Sequence, residues 1–195
     1  MNVSFKSGTR YAVLGSNGSG KSTLLNVISG CLSPSEGTLH YHKGGELIDS
    51  GTMYSLCSIA APYMELVEEF TLLEFLQFHA QYKEYLPGMD QKSLIEAIAL
   101  PRALHKPLKF FSSGMKQRVK LALACLMQSE LVLLDEPTSN LDQAAINWYH
   151  ELLEKTIGQR LLIIFSNQPE EYTSCTEHIS LSSFKDFGAR SATFS

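Results

Sequence analysis

Apolar residues along the chain fall into two periods. Short runs bounded by glycine, proline or serine occur at 11–14, 38–42, 57–61, 131–134 and 161–165, and each predicts a β-strand. The run 161–165 is continuous, as a strand buried on both faces requires. Residues 2–5, with Val3 and Phe5 on one face, predict a further strand that turns at Ser7-Gly8 into the next. Elsewhere the period is helical. One helix follows Gly20 and stops at Gly30, and Thr71 with Glu74 has the spacing of a capping box ahead of Leu72, Phe75, Leu76 and His79. A helix over 91–100 is stopped by Pro101, and another after Gly114 carries Met115, Val119, Ala122, Leu123 and Leu126 on one face. Asp142 is placed to cap a last helix with the stripe Ile146, Tyr149, Leu153 and Ile157. Residues 43–51 are polar and glycine-containing, which predicts a loop, and the serine-rich end from Leu181 predicts a loose tail. Strands alternating with helices predict an α/β fold with a mainly parallel sheet, into which residues 66–120 insert a helical lobe.

The first strand runs directly into Gly15, Ser16, Asn17, Gly18, Ser19, Gly20, Lys21, Ser22 and Thr23, which fits the phosphate-binding pattern GxxxxGK[ST] between a strand and a helix. Glycines at 15, 18 and 20 can take backbone angles closed to other residues, letting successive N–H groups turn toward phosphate oxygens. Lys21 supplies a point charge for the outer phosphates, Ser22 a hydroxyl for Mg²⁺, and the following helix its positive dipole end. A second element is the strand 131–134 ending in Asp135-Glu136, two carboxylates at the sheet edge where α/β proteins bind ligands. Asp135 is placed to hold Mg²⁺, directly or through water, and Glu136 to polarise an attacking water.

Composition narrows the classes. The chain has 195 residues, 44% of them hydrophobic, which suits one folded domain. A net charge of -4 gives no bulk attraction to nucleic acid. The four cysteines are widely spaced without a CxxC pair, so they read as buried thiols. His40 and His42 share a strand face without a third ligand nearby, and read as scatter. No apolar run is long enough to cross a bilayer, so a membrane role is expected through a partner.

FSSGMKQR, beginning at Phe111, brings in a family. Ser112, Ser113, Gly114 and Met115 resemble the LSGGQ signature of ATP-binding cassette (ABC) ATPases, and Pro137 to Asp142 resembles the loop after their acidic strand. The resemblance extends over nearly the whole chain, with four elements in family order. It implies a P-loop NTPase core, about 1–65 and 121–195, with an inserted helical subdomain, about 66–120. It also implies ATP and Mg²⁺ as ligands, and a head-to-tail pair with a second ABC subunit, identical or different, in which each signature completes the other's ATP site. Small residues at a helix start suit that role, because they admit a γ-phosphate and offer it N–H groups; Ser112 can cap the helix at the same time.

Three departures bear on activity. The family usually has a glutamine at the end of the strand before the helical lobe, and alignment of 70–76 with the usual start of that lobe puts Pro62 there. Glu65 could substitute, though with Glu68 and Glu69 it also reads as an exposed acidic patch. The usual histidine facing the γ-phosphate is replaced by Asn167, which can donate a hydrogen bond but carries no charge. The usual adenine-stacking aromatic lies upstream of where this chain starts, and Tyr11 reads as core. Slow turnover is the expectation.

The leading expectation is the ATP-binding, ATP-hydrolysing subunit of a transporter, peripheral on the cytoplasmic face of the membrane and coupled to an integral membrane permease. A soluble ABC ATPase acting on ribosomes or DNA and a slowly hydrolysing regulatory switch stay open beside it.

Overall fold

The computed structural model describes residues 1–185. Five parallel strands form the central sheet in the order β4 (Cys57–Ala60), β5 (Leu131–Asp135), β6 (Leu161–Ser166), β1 (Arg10–Leu14), β7 (Glu177–Ser180). The helices are α1 (Lys21–Ile28), α2 (Met53–Leu56), α3 (Leu72–His79), α4 (Gln91–Ile98), α5 (Ser113–Leu126), α6 (Gln143–Thr156) and α7 (Ser182–Lys185). A separate hairpin pairs β2 (Tyr41–Lys43) with β3 (Glu46–Ile48).

The sheet is buried on both faces because its strands alternate two apolar sets. Leu131, Leu133, Ile163 and Phe165 face α1 with Tyr11, Val13, Leu25 and Ile28. Val132, Leu134, Leu162 and Ile164 face the other way, into a core shared with α3 to α6. Crossover helices on both faces are what a parallel sheet requires.

Several elements differ from the sequence expectation. Residues 2–5 form no strand: both edges of β1 are taken, by β6 and β7, so no ladder is open beside it, and Phe5 instead sets its ring edge-on against Tyr11 at 5.0 Å. The expected loop 43–51 contains β3. Gly44 and Gly45, at φ 61° and 88°, form the two-residue turn that a twisted hairpin favours. The strand expected over 38–42 is shifted and cut to the three residues of β2, which leaves His40 outside it. β7 was not foreseen. Leu181, expected in a loose tail, is buried in the core and leads into α7, while the rest of that tail lies outside the described residues.

Helix α5 is not a one-faced amphipathic helix. Val119 to Leu126 are all buried, because α5 lies between the sheet and the segment carrying α3 and α4. Ile146 is only half-buried, and the buried face of α6 is Ala145, Tyr149, Leu152, Leu153 and Thr156. The capping box of α3 is complete, with Glu74 N–H on Thr71 Oγ1 and Thr71 N–H on Glu74 Oε2. Helix α4 ends at Ile98, earlier than expected, with Ala99 left-handed at φ 54° ahead of the proline-restricted Leu100. Cys57 and Cys125 are buried as expected, but Cys31 is exposed and Cys175 half-buried.

Candidate functional site

Three neighbouring strands end together. In the parallel ladders Leu14 lies beside Ser166 and Asp135 beside Phe165, so the segments that leave β1, β6 and β5 emerge side by side at the carboxyl edge of the sheet. That edge is where open α/β sheets gather ligand-binding groups. It holds a cleft of about 330 Å³ lined by Asn17, Gly18, Gly20, Lys21, Thr23 and Glu136, with Ser22 between them.

The loop 15–20 takes its shape from its glycines, for two different reasons. Gly18 and Gly20 are at φ 74° and 103°, the left-handed region. Gly15 is not; there a Cβ would lie 2.3 Å from Ser19 Oγ, so space and not angle excludes a side chain. Ser19 Oγ is buried with no hydrogen-bond partner among the described residues. Gly20 caps α1 without a side chain, and the first intrahelical bond runs from Leu24 N–H to the Gly20 carbonyl, leaving earlier N–H groups for a ligand. Lys21 is buried, and its Nζ donates to the Gly15 carbonyl at 2.7 Å, which folds the ammonium over the loop.

β5 delivers the two carboxylates to different places. Asp135 is buried and its Oδ2 accepts from Ser22 Oγ at 2.7 Å, so the two oxygens expected to hold Mg²⁺ stand side by side. Burial pushes the Asp135 carboxyl up; the Ser22 hydroxyl and Lys21 pull it back, and Glu136 adds repulsion. Hard oxygen donors of this kind, one carboxylate and one hydroxyl, suit a cation that takes its other ligands from water and phosphate. Glu136 reaches the cleft from an unusual backbone, φ 42°, held by its N–H on the Phe165 carbonyl at 2.9 Å. A side chain larger than glycine in that region is strained, and strain of about 1–3 kcal/mol persists only where neighbours over-determine it.

Asn167 stands in front of the phosphate loop: its Oδ1 accepts from Gly15 N–H at 3.3 Å, and its Nδ2 donates to Asn17 Oδ1 at 3.4 Å. Pro62 does not line the cleft. It borders a second groove of about 520 Å³ with Met64, Leu66, Val67, Glu68 and Lys116. The loop it occupies is pinned by a residue that sequence reading passed over: Lys120 of α5 donates to the carbonyls of Ala61, Pro62 and Met64 at 3.0, 2.9 and 3.2 Å. A lysine inside the apolar run 119–126 was the available signal. Next to Pro62, the Tyr63 phenol is pushed up by burial and then by the charge of Asp135.

The signature residues lie outside the phosphate-loop cleft, with Ser113 on the wall of the second groove. Ser112 caps α5 by accepting from Met115 N–H at 3.2 Å, and Ser112 and Ser113 are exposed. Gly114 is pressed against the loop after β5, where a Cβ would lie 2.6 Å from the Asn140 carbonyl oxygen. Ser112, Ser113, Gly114 and Met115 do not line this chain's phosphate-loop cleft.

Residues 1–139 match the family described as ABC transporter. The chain belongs to the ABC transporter family. Its ABC relatives include an uncharacterised ATP-binding protein, YybJ, of Bacillus subtilis, 29% identical over 90% of this chain and 81% of that protein. The vitamin B12 import ATP-binding protein BtuD of Vibrio vulnificus is 33% identical over 82% of this chain and 69% of its own length. In fold, a bacterial ABC transporter cassette solved as a dimer superposes with a TM-score of 0.75 at 20% identity, covering 92% of this chain and 84% of that one. The α/β core with its parallel sheet is thus the P-loop cassette of ABC proteins, and ATP binding and hydrolysis in the service of transport is its function.

Proposed function

We propose that this chain works as one half of a head-to-tail pair of cassettes, attached from the cytoplasmic side to a permease that is a separate polypeptide. The observation that carries this reading is the separation of the two half-sites. Asn17, Gly18, Gly20 to Thr23 and Glu136 line one cleft, with Asp135 bonded to Ser22 behind it, while Ser112 and Ser113 at the start of α5 are exposed and outside that cleft, where another subunit's nucleotide would complete their role. Ser16, Asn17 and Ser19 complete the phosphate loop. Within the described residues no helix is long and apolar enough to cross a membrane.

The chemistry is divided among few residues. Backbone N–H groups of the loop and Lys21 bind the phosphates and take up charge that develops on them. Ser22 and Asp135 would hold Mg²⁺, which would supply neutralisation of phosphate charge. Glu136 orients the attacking water and accepts its proton, and Asn167 donates from the opposite side.

Extraction of the tagged protein from its cells in mild detergent tests the arrangement. A polytopic membrane protein in near-equal amount is the expected companion; ribosomes or DNA-bound factors in its place would overturn it in favour of a soluble ATPase.

Asn167 limits the rate in this reading, because a neutral amide replaces a donor that can be charged. Asn167→His should raise kcat by about fivefold, the scale of one hydrogen bond made charge-assisted. A steady-state phosphate-release assay reads this, and a variant no faster than the parent removes Asn167 as the cause of slow turnover.

A further inference from the structure

A buried carboxylate next to the cleft is used by none of the roles above. Glu171 lies in the turn after β6, is 0% exposed, and has no salt-bridge partner among the described residues. Three protons satisfy it. Thr138 N–H and Thr138 Oγ1–H both donate to Oε1, at 2.8 and 2.5 Å, and Ser166 Oγ–H donates to Oε2. Its own carbonyl accepts from the buried Tyr149 hydroxyl at 3.0 Å, so the residue is anchored at both ends.

The two partners lie within two residues of two site residues. Thr138 follows Glu136 across a single proline, whose ring fixes φ and leaves little slack. Ser166 precedes Asn167, and its hydroxyl oxygen also accepts from Gln168 N–H at 2.8 Å, which brackets Asn167 on both sides. Burying a carboxylate without a cation is costly, and an apolar side chain there would serve packing at less cost. Its hydrogen bonds therefore point to geometry and not to stability as the reason for the residue. Glu136 at φ 42° is also the kind of strained position that needs outside restraint.

We propose that Glu171 is a positioning residue for ATP hydrolysis: its two carboxylate oxygens tie the loop behind Glu136 to the strand end carrying Asn167 and so fix the gap in which the γ-phosphate and water react. The proposal rests on the roles given to Glu136 and Asn167 above. No motif in the sequence marks it.

Glu171→Gln is the test. It keeps the size and one carbonyl acceptor for Thr138, but presents an NH₂ to a serine hydroxyl that now donates to Glu171. The expected result is a kcat lowered roughly tenfold, the effect of a lost outer hydrogen bond on an active site, with KM unchanged. Affinity for a fluorescent ATP analogue and the thermal midpoint should stay at parent values. Ser166→Ala should slow turnover less, and the double variant no more than Glu171→Gln alone, because one link is being removed twice. Glu171→Gln with parental kcat, beside an inactive Glu136→Gln, overturns the proposal alone. A loss of kcat accompanied by a lowered midpoint or weaker nucleotide binding also overturns it, by making Glu171 structural. An active Glu136→Gln overturns the underlying reading instead.

Discussion

Glu136→Gln should lower ATP turnover about 10³-fold, within the range that a lost general base costs. The substitution keeps side-chain volume, so the φ of 42° and the bond from its N–H to the Phe165 carbonyl have no reason to change. What disappears is the ability to take a proton from water, together with one negative charge in the cleft. That charge repels phosphate and also opposes ionisation of Asp135. Its removal leaves Lys21 and the loop N–H groups acting on the nucleotide with less opposition, so affinity for ATP should hold or improve while hydrolysis stops. Phosphate release under saturating ATP, with a fluorescent-nucleotide titration beside it, separates the two effects. Turnover within tenfold of the parent would remove Glu136 from the reaction and leave the water to some other base.

The parts of this site that were legible in the sequence are those fixed by local chemistry. The phosphate loop follows from glycine spacing between a strand and a helix, and the acidic pair from four aliphatics that bury the strand before it; parallel pairing with β6 then brings the two together. What was illegible depends on neighbours. β7 has an almost wholly exposed pattern and no alternation, and exists because β1 offers it an edge. The same occupied edges deny a strand to residues 2–5, whose alternation suggested one. The C-terminal half of α5 looked one-faced because sequence shows what a helix offers, not how many elements surround it. Gly15 was read as a matter of backbone angle, and it is a matter of the room beneath Ser19. Lys120 and Glu171 are charged residues whose partners are main-chain carbonyls, a main-chain N–H and hydroxyls from distant segments, which no local pattern announces.

Gly114→Val should reduce turnover about 100-fold, the cost of displacing a reacting group by roughly an ångström. A Cβ at Gly114 would meet the Asn140 carbonyl oxygen at 2.6 Å, a contact with backbone that no rotamer change relieves. One of the two segments must move. The loop holding Asn140 is fixed at both ends: Pro137 O accepts from Gln117 Nε2 at 3.0 Å, and Asp142 caps α6 by accepting from Ala145 N–H at 2.8 Å. Asn140 is itself left-handed, φ 66°, with little freedom to turn its carbonyl away. The start of α5 therefore yields, and with it the N–H groups of Ser113 and Gly114 that would face a partner's nucleotide. None of this touches Gly15 to Thr23, so the variant should bind a fluorescent ATP analogue with parental affinity and fail at the step that needs two cassettes. Gly114→Ala carries the same Cβ and should fall in the same direction, by less. Parental turnover in the valine variant would mean that the α5 N-terminus takes no part in hydrolysis, and with it the head-to-tail assignment would fall.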